Sequence, residues 1–282
     1  GMRLFCFPFE GGNAGVFEDL SWAVDSALVV GVSYPGRLDR RREAFEGVRE
    51  VAQSCAEAMH AAGLVDTPFA LLGHGMGALV AFEVMKALRK EHNKQPHLLV
   101  AIEAPGPQSL IDGDDSDSDE DIDFLSGGGK ETARSQDDRP LSEESEAFLY
   151  EHLVTLERGW LGAETTDQKL LFKCGFPVFR SDVRALEAFK YESDWALARP
   201  ILLVLALLSG QLDREKCLTW EQETTKDFHV LELVGGARSM LRDPNLVADF
   251  GSLLSARVDA ELSRVVDPDE EEIEALSRGV KL

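Results

Sequence analysis

Six short apolar runs punctuate the chain: Met2–Phe9 (MRLFCFPF), Leu28–Tyr34 (LVVGVSY), Phe69–Leu72 (FALL), Leu98–Ile102 (LLVAI), Ile201–Leu208 (ILLVLALL) and His229–Val234 (HVLELV). Each has the length of a strand, and most lack the polar alternation of a half-exposed one, which predicts strands buried on both faces. Glycine and proline close the first two, at Gly11-Gly12 and Pro35-Gly36. Between the runs the spacing becomes helical. Arg42–Ala62 sets Phe45, Val48, Val51, Ala52, Cys55, Met59 and Ala62 on one stripe, and Met76–Lys90 and Pro244–Leu262 read as further helices. Gly11–Ser26 reads as a loop with a short helix. The order is βαβαβαβ, a long interruption, then βαβα, so the expected fold class is α/β: a mostly parallel central sheet with helices on both faces.

The interruption has two parts. Residues 111–146 hold fourteen Asp/Glu against three Lys/Arg, half of the net charge of −22. With so little apolar content this segment is expected to be a disordered acidic insertion. From residue 147 to 198 helical spacing returns, in FLYEHLVTLERGWL and KLLFKCGFPVFRSDVRALEAF, and predicts a helical cap inserted before the penultimate strand. The expected organisation is therefore a core in two parts, 2–110 and 199–264, interrupted by insertion and cap and followed by an acidic tail at 265–282.

Charge and composition exclude several functions. A net charge of −22 argues against a nucleic-acid partner, which needs a basic surface. Cys6, Cys55, Cys174 and Cys217 form no C-x-x-C pair, and the six histidines form no ligand cluster, so neither a metal nor a cofactor is expected. No apolar stretch is long enough for a membrane span, and the first residues lack the pattern of a secretory signal. A cytoplasmic, monomeric protein is the expectation.

Residues 70–82, ALLGHGMGALVAF, carry the chemistry. Gly73-His74-Gly75-Met76-Gly77 has the frame of a G-x-S-x-G nucleophile elbow, with Gly75 where the serine should stand. The same letters satisfy G-x-G-x-x-[GA] through Gly73, Gly75 and Ala78, a dinucleotide-binding turn. That turn normally opens the sheet and expects an acidic residue about twenty positions later. Here two strands precede it, and the next strand ends at Glu103, thirty positions past Gly73.

FCFPFEGGNAGVF, YPGRLDRR, FALLGHGMGALVAFEV and FPVFRSDVRALEAFKY, in this order, resemble the type II thioesterases, stand-alone α/β-hydrolases of polyketide, nonribosomal-peptide and fatty-acid synthesis. The resemblance implies an α/β-hydrolase fold, a Ser-His-Asp triad and an oxyanion hole. In this sequence Gly75 takes the nucleophile position and Ala237, in Gly235-Gly236-Ala237-Arg238, takes the base position. Gly210-Gln211-Leu212-Asp213 keeps the acid, Asp213. The resemblance puts the oxyanion-hole backbone at Glu10 and Met76, with the Glu10 carboxylate set to oppose a developing oxyanion.

The resulting expectation is a thioesterase-like protein, catalytically impaired, that binds an acyl thioester or an acyl-carrier protein. Arg37, Arg40 and Arg41 are the candidate patch for an acidic carrier. Two alternatives stay open: an active hydrolase, cyclase or lyase with non-serine chemistry in the same pocket, and an interaction or scaffold protein. An open apolar channel between cap and sheet favours binding or catalysis, whereas filling by Phe9, Phe176 or Phe179 favours the scaffold.

Overall fold

The computed structural model describes residues 1–110, 140–149, 166–192, 196–207, 213–235 and 239–264. Six strands, β1 (Met2–Phe7), β2 (Ala27–Gly31), β3 (Phe69–His74), β4 (Leu99–Ile102), β5 (Ile201–Ala206) and β6 (Phe228–Leu233), form one sheet in the order β2-β1-β3-β4-β5-β6. Every neighbouring pair is parallel. The unalternating runs are explained by position: β3, β4 and β5 are buried along their whole length, whereas the edge strands β2 and β6 are partly exposed. β1 stops at Phe7, before Pro8, which has no amide hydrogen to continue the ladder.

Alternate residues of each strand feed two cores. Met2, Leu4 and Cys6 face one side, with Phe17 and Leu20 at α1 (Glu18–Ala23) and Phe250, Leu254 and Val258 of α6 (Pro244–Ser263). Phe5 and Phe7 face the other, with α2 (Val48–Ala61) and α3 (Met76–His92). α2 starts later than its spacing predicts, at the Gly47 cap. Phe45 still reaches the core from outside the helix, edge-on to Tyr34 at 5.7 Å.

A 22-residue helix, α4 (Thr166–Glu187), lies in sequence between β4 and β5, within the stretch expected to be helical. Residues 140–146, expected to belong to the disordered insertion, instead pack on it. Ser142 is buried and its amide donates to Glu187 Oε1 at 3.0 Å, while Arg180 Nη2 donates to the Glu144 carbonyl at 2.6 Å. The apolar Leu141 and these backbone groups supply contacts that the acidic composition conceals. The rest of that expectation, 111–139, and the acidic tail at 265–282 lie outside the described residues.

α4 is tied to the core by a buried ion pair. Asp182, fully buried, accepts from the Arg37 guanidinium and from the Gly11 amide at 2.7 Å. Arg37 Nε donates to the Gly12 carbonyl at 2.7 Å and Nη1 to the Pro35 carbonyl at 2.8 Å. One guanidinium thus joins the loops after β1 and β2 to the helix. Burial pushes the Asp182 carboxyl up to about 7, against the opposing pull of Arg37 and the Gly11 amide.

Arg37→Met is expected to destabilise the protein by about 3 kcal/mol, the low end for breaking a buried pair, because Asp182 can take a proton. The sign of the pH effect is fixed. Removing the cation raises the folded value of Asp182 further above its unfolded one, so the penalty grows as pH rises above about 7. Urea denaturation of both proteins on either side of pH 7 checks this; a penalty that shrinks with rising pH would contradict it.

Candidate functional site

The strand order reverses between β1 and β3, so the loops leaving their C-terminal ends face each other, the position where parallel sheets hold ligands. On one side β3 passes into α3 through Gly75, at φ 53° and ψ −125°. This left-handed turn is strained for any residue with a Cβ. Its ends are held by Gly75 N–H donating to Ile102 O at 2.9 Å and Ala78 N–H donating to Gly75 O at 2.9 Å. Two residues on, a Cβ at Gly77 would strike the Phe7 backbone carbonyl, so glycine there lets α3 cross directly beside the end of β1.

On the other side is Pro8–Gly12, closed by Gly12 N–H donating to Phe9 O at 2.8 Å. This loop brings the Glu10 side chain, only 7% exposed, onto the elbow. Glu10 Oε2 lies 3.4 Å from the Met76 amide and accepts from it. A Cβ placed on Gly75 would stand 2.9 Å from that same oxygen and 3.3 Å from Phe9 Cβ. Of the two residues expected to supply oxyanion-hole backbone, Glu10 places its carboxylate on the amide of the other, Met76, at α3's N-terminus. His74 is buried and stacks edge-on against Phe9 at 5.0 Å.

Asp213 caps α5 (Arg214–Leu218), its Oδ1 accepting from the Glu215 amide at 2.9 Å and the Lys216 amide at 3.3 Å. That local duty explains an aspartate at this position independently of any triad. Ala237 lies outside the described residues. Of the predicted residues, the structure therefore brings together Glu10, Gly75 and Met76. The arginines separate: Arg37 is buried against Asp182 and is not part of a solvated patch, while Arg40 pairs with Glu43 at the surface and Arg41 is exposed.

Glu103 was not singled out as a site residue. Buried at the end of β4 with φ 46°, it accepts the Ala206 amide through Oε1 and so joins the ends of β4 and β5. Burial pushes the nearby Cys217 thiol up to about 12, with the carboxylates of Glu103 and Asp213 adding to the effect. An acidic residue directly after an unbroken apolar strand was the available signal. Phe9, Phe176 and Phe179 are all buried, and Phe179 packs where a Cβ on Gly11 would be, at 3.3 Å. Among the described residues, no group of three or more His, Cys, Asp or Glu is placed to hold a metal ion, and no helix is long and apolar enough to cross a membrane.

Gly75→Ser is expected to lower the unfolding free energy by about 1–3 kcal/mol, through strain at the turn and crowding of Glu10. In a Glu10→Ala background the penalty should shrink, because the crowding of Glu10 then disappears while the turn strain and the contact with Phe9 Cβ remain. A double-mutant cycle by urea denaturation measures this. Equal penalties in both backgrounds would show that Glu10 and position 75 do not compete for the same space.

A family model for the thioesterase domain matches residues 2–253. The gramicidin S biosynthesis protein GrsT of Aneurinibacillus migulanus is 36% identical over 103 residues, 36% of this chain and 40% of that protein. Thioesterase PikA5 of Streptomyces venezuelae is 27% identical over 286 residues, 98% of this chain and 89% of that protein. Among solved structures, the RedJ thioesterase from the prodiginine biosynthetic pathway in Streptomyces coelicolor superposes with a TM-score of 0.70 at 27% identity, covering 89% of this chain and 85% of that one.

Proposed function

Because the chain belongs to the thioesterase-domain family, we propose that it is a type II thioesterase-like protein of polyketide or nonribosomal-peptide biosynthesis that binds acyl thioesters, free or on a carrier protein. In this reading it has lost serine acyl transfer. The observation that carries it is the elbow: its backbone geometry and its Met76 amide are kept, while position 75 has no hydroxyl and the amide is held by Glu10. Without an Oγ there is no alkoxide to attack a thioester and no covalent acyl-enzyme to resolve. The relatives support the setting, since GrsT and RedJ are named for biosynthesis of gramicidin S and of prodiginines.

The burial of Phe9, Phe176 and Phe179 favours a second reading, an interaction protein with a filled site. Ligand binding separates the two. A serine-directed fluorophosphonate should not label the folded protein, and an acyl-pantetheine should bind saturably with no acyl adduct in the intact mass. Stoichiometric labelling would refute the loss of serine chemistry. Absence of acyl binding, free or carrier-borne, would transfer the assignment to the interaction reading.

A further inference from the structure

The loop after β2 turns an apolar side chain outward at a cost in backbone energy. Leu38 is 59% exposed and stands at φ 51°, a left-handed conformation in which a bulky residue is an outlier. The loop around it is well braced. Arg40 N–H donates to Arg37 O at 2.8 Å and Gly36 N–H to Arg40 O at 3.0 Å, closing the turn, and Arg40 Nη1 donates to Ser33 O at 2.7 Å. A leucine this exposed buries little apolar surface in return, so the strain points to a use outside the fold.

Charge at the tip points the same way. Glu43 pairs with Arg40, and Asp39 acts on the same guanidinium. Arg41 and Arg42 follow, both exposed and with no ion pair to another described residue; Glu46 is the next acid along the chain. An acidic partner is repelled overall by a chain of net charge −22 and approaches most favourably where cations stand outermost. The tip is also joined to the candidate site. Arg37, one residue before Leu38, donates to Gly12 O and pairs with Asp182, so a protein seated on Leu38 rests on the connection that positions Pro8–Gly12 beside the elbow.

We propose that Leu38, Arg41 and Arg42 form the docking surface for an acidic carrier protein. Leu38 enters an apolar depression of the partner, and the two arginines meet carboxylates at its rim. Arg37 and Arg40, expected in such a patch, are instead held by Asp182 and Glu43. The inference rests on the carrier-borne form of the reading above and requires no contact at the elbow itself.

Isothermal titration of the full chain with two probes tests this: propionyl pantetheine with an amide in place of the thioester, and the same group borne by an acidic acyl-carrier protein of fatty-acid synthesis. The carrier-borne probe is expected to bind more tightly than the free one. Leu38→Gly should weaken the carrier about tenfold, the size of losing an apolar anchor, without lowering Tm, because glycine suits φ 51°. Arg41→Gln with Arg42→Gln should weaken it about three- to tenfold at low salt and flatten its salt dependence. Neither variant should change binding of the free probe. Carrier binding that survives Leu38→Gly overturns the inference, even where the arginine pair matters, since that result marks unspecific charge attraction. Loss of carrier binding together with a lowered Tm gives Leu38 a structural role and overturns it too. Should Leu38→Gly fail to fold, Leu38→Asn, which also tolerates the left-handed region, decides. Free-probe binding with no gain from the carrier defeats this inference alone; no binding of either probe defeats the acyl-binding reading with it.

Discussion

The crossing of α3 beside the end of β1 is the constraint on which the rest depends. Gly77 has no room for a Cβ against the Phe7 carbonyl, and Gly75 must hold φ 53° for the chain to turn from β3 into α3 within one residue. Since the sheet reverses its order between these two strands, the loop after β1 is driven onto the elbow. Whatever stands at position 10 therefore reports on positions 75 and 76. The Glu10 carboxylate stands 2.9 Å from where a Cβ on Gly75 would be, so the two loops share one small volume.

The same loop is held from behind. Gly11 and Gly12 are fixed by Asp182 and Arg37, and Arg37 also lies over the Tyr34 ring, its guanidinium carbon 4.9 Å from the centroid. A buried ion pair is a weak source of net stability but a strong source of geometric definition, because leaving either member alone is so unfavourable. Here it defines where the β1 loop sits relative to the elbow. The helix between β4 and β5 thereby contributes to the position of the site through Asp182.

The sheet was legible because its signal is physical and local. Runs such as LLVAI and ILLVLALL have no alternation because both faces of β4 and β5 are covered, and the G-H-G-M-G frame placed the turn because Gly73 and Gly77 have no room for a Cβ beside it. What composition hid was tertiary. Arg37 reads as one of several surface arginines until a distant Asp182 is brought to it, 145 residues along the chain. Residues 140–146 read as part of an acidic insertion because their contacts with α4 are made largely by backbone groups. Glu103 escaped for the same reason, its partner being an amide on the adjacent strand. The family resemblance put Gly75 at the nucleophile position and Glu10 in the oxyanion-hole loop, but the reach of the Glu10 side chain across to Met76 is a property of the folded loop.

Serine acyl transfer needs an elbow amide that is free to meet charge developing on a substrate oxygen. A carboxylate resting on that amide supplies the charge in advance, so the site is satisfied before any ligand arrives. The Met76 amide, at the start of α3, is thus already engaged by a side chain of the facing loop. A helix N-terminus favours a negative partner, whether a side chain or a ligand supplies it. The contact between Glu10 and Met76 therefore sets the electrostatics where the two loops face each other, above a sheet whose order and register it does not touch.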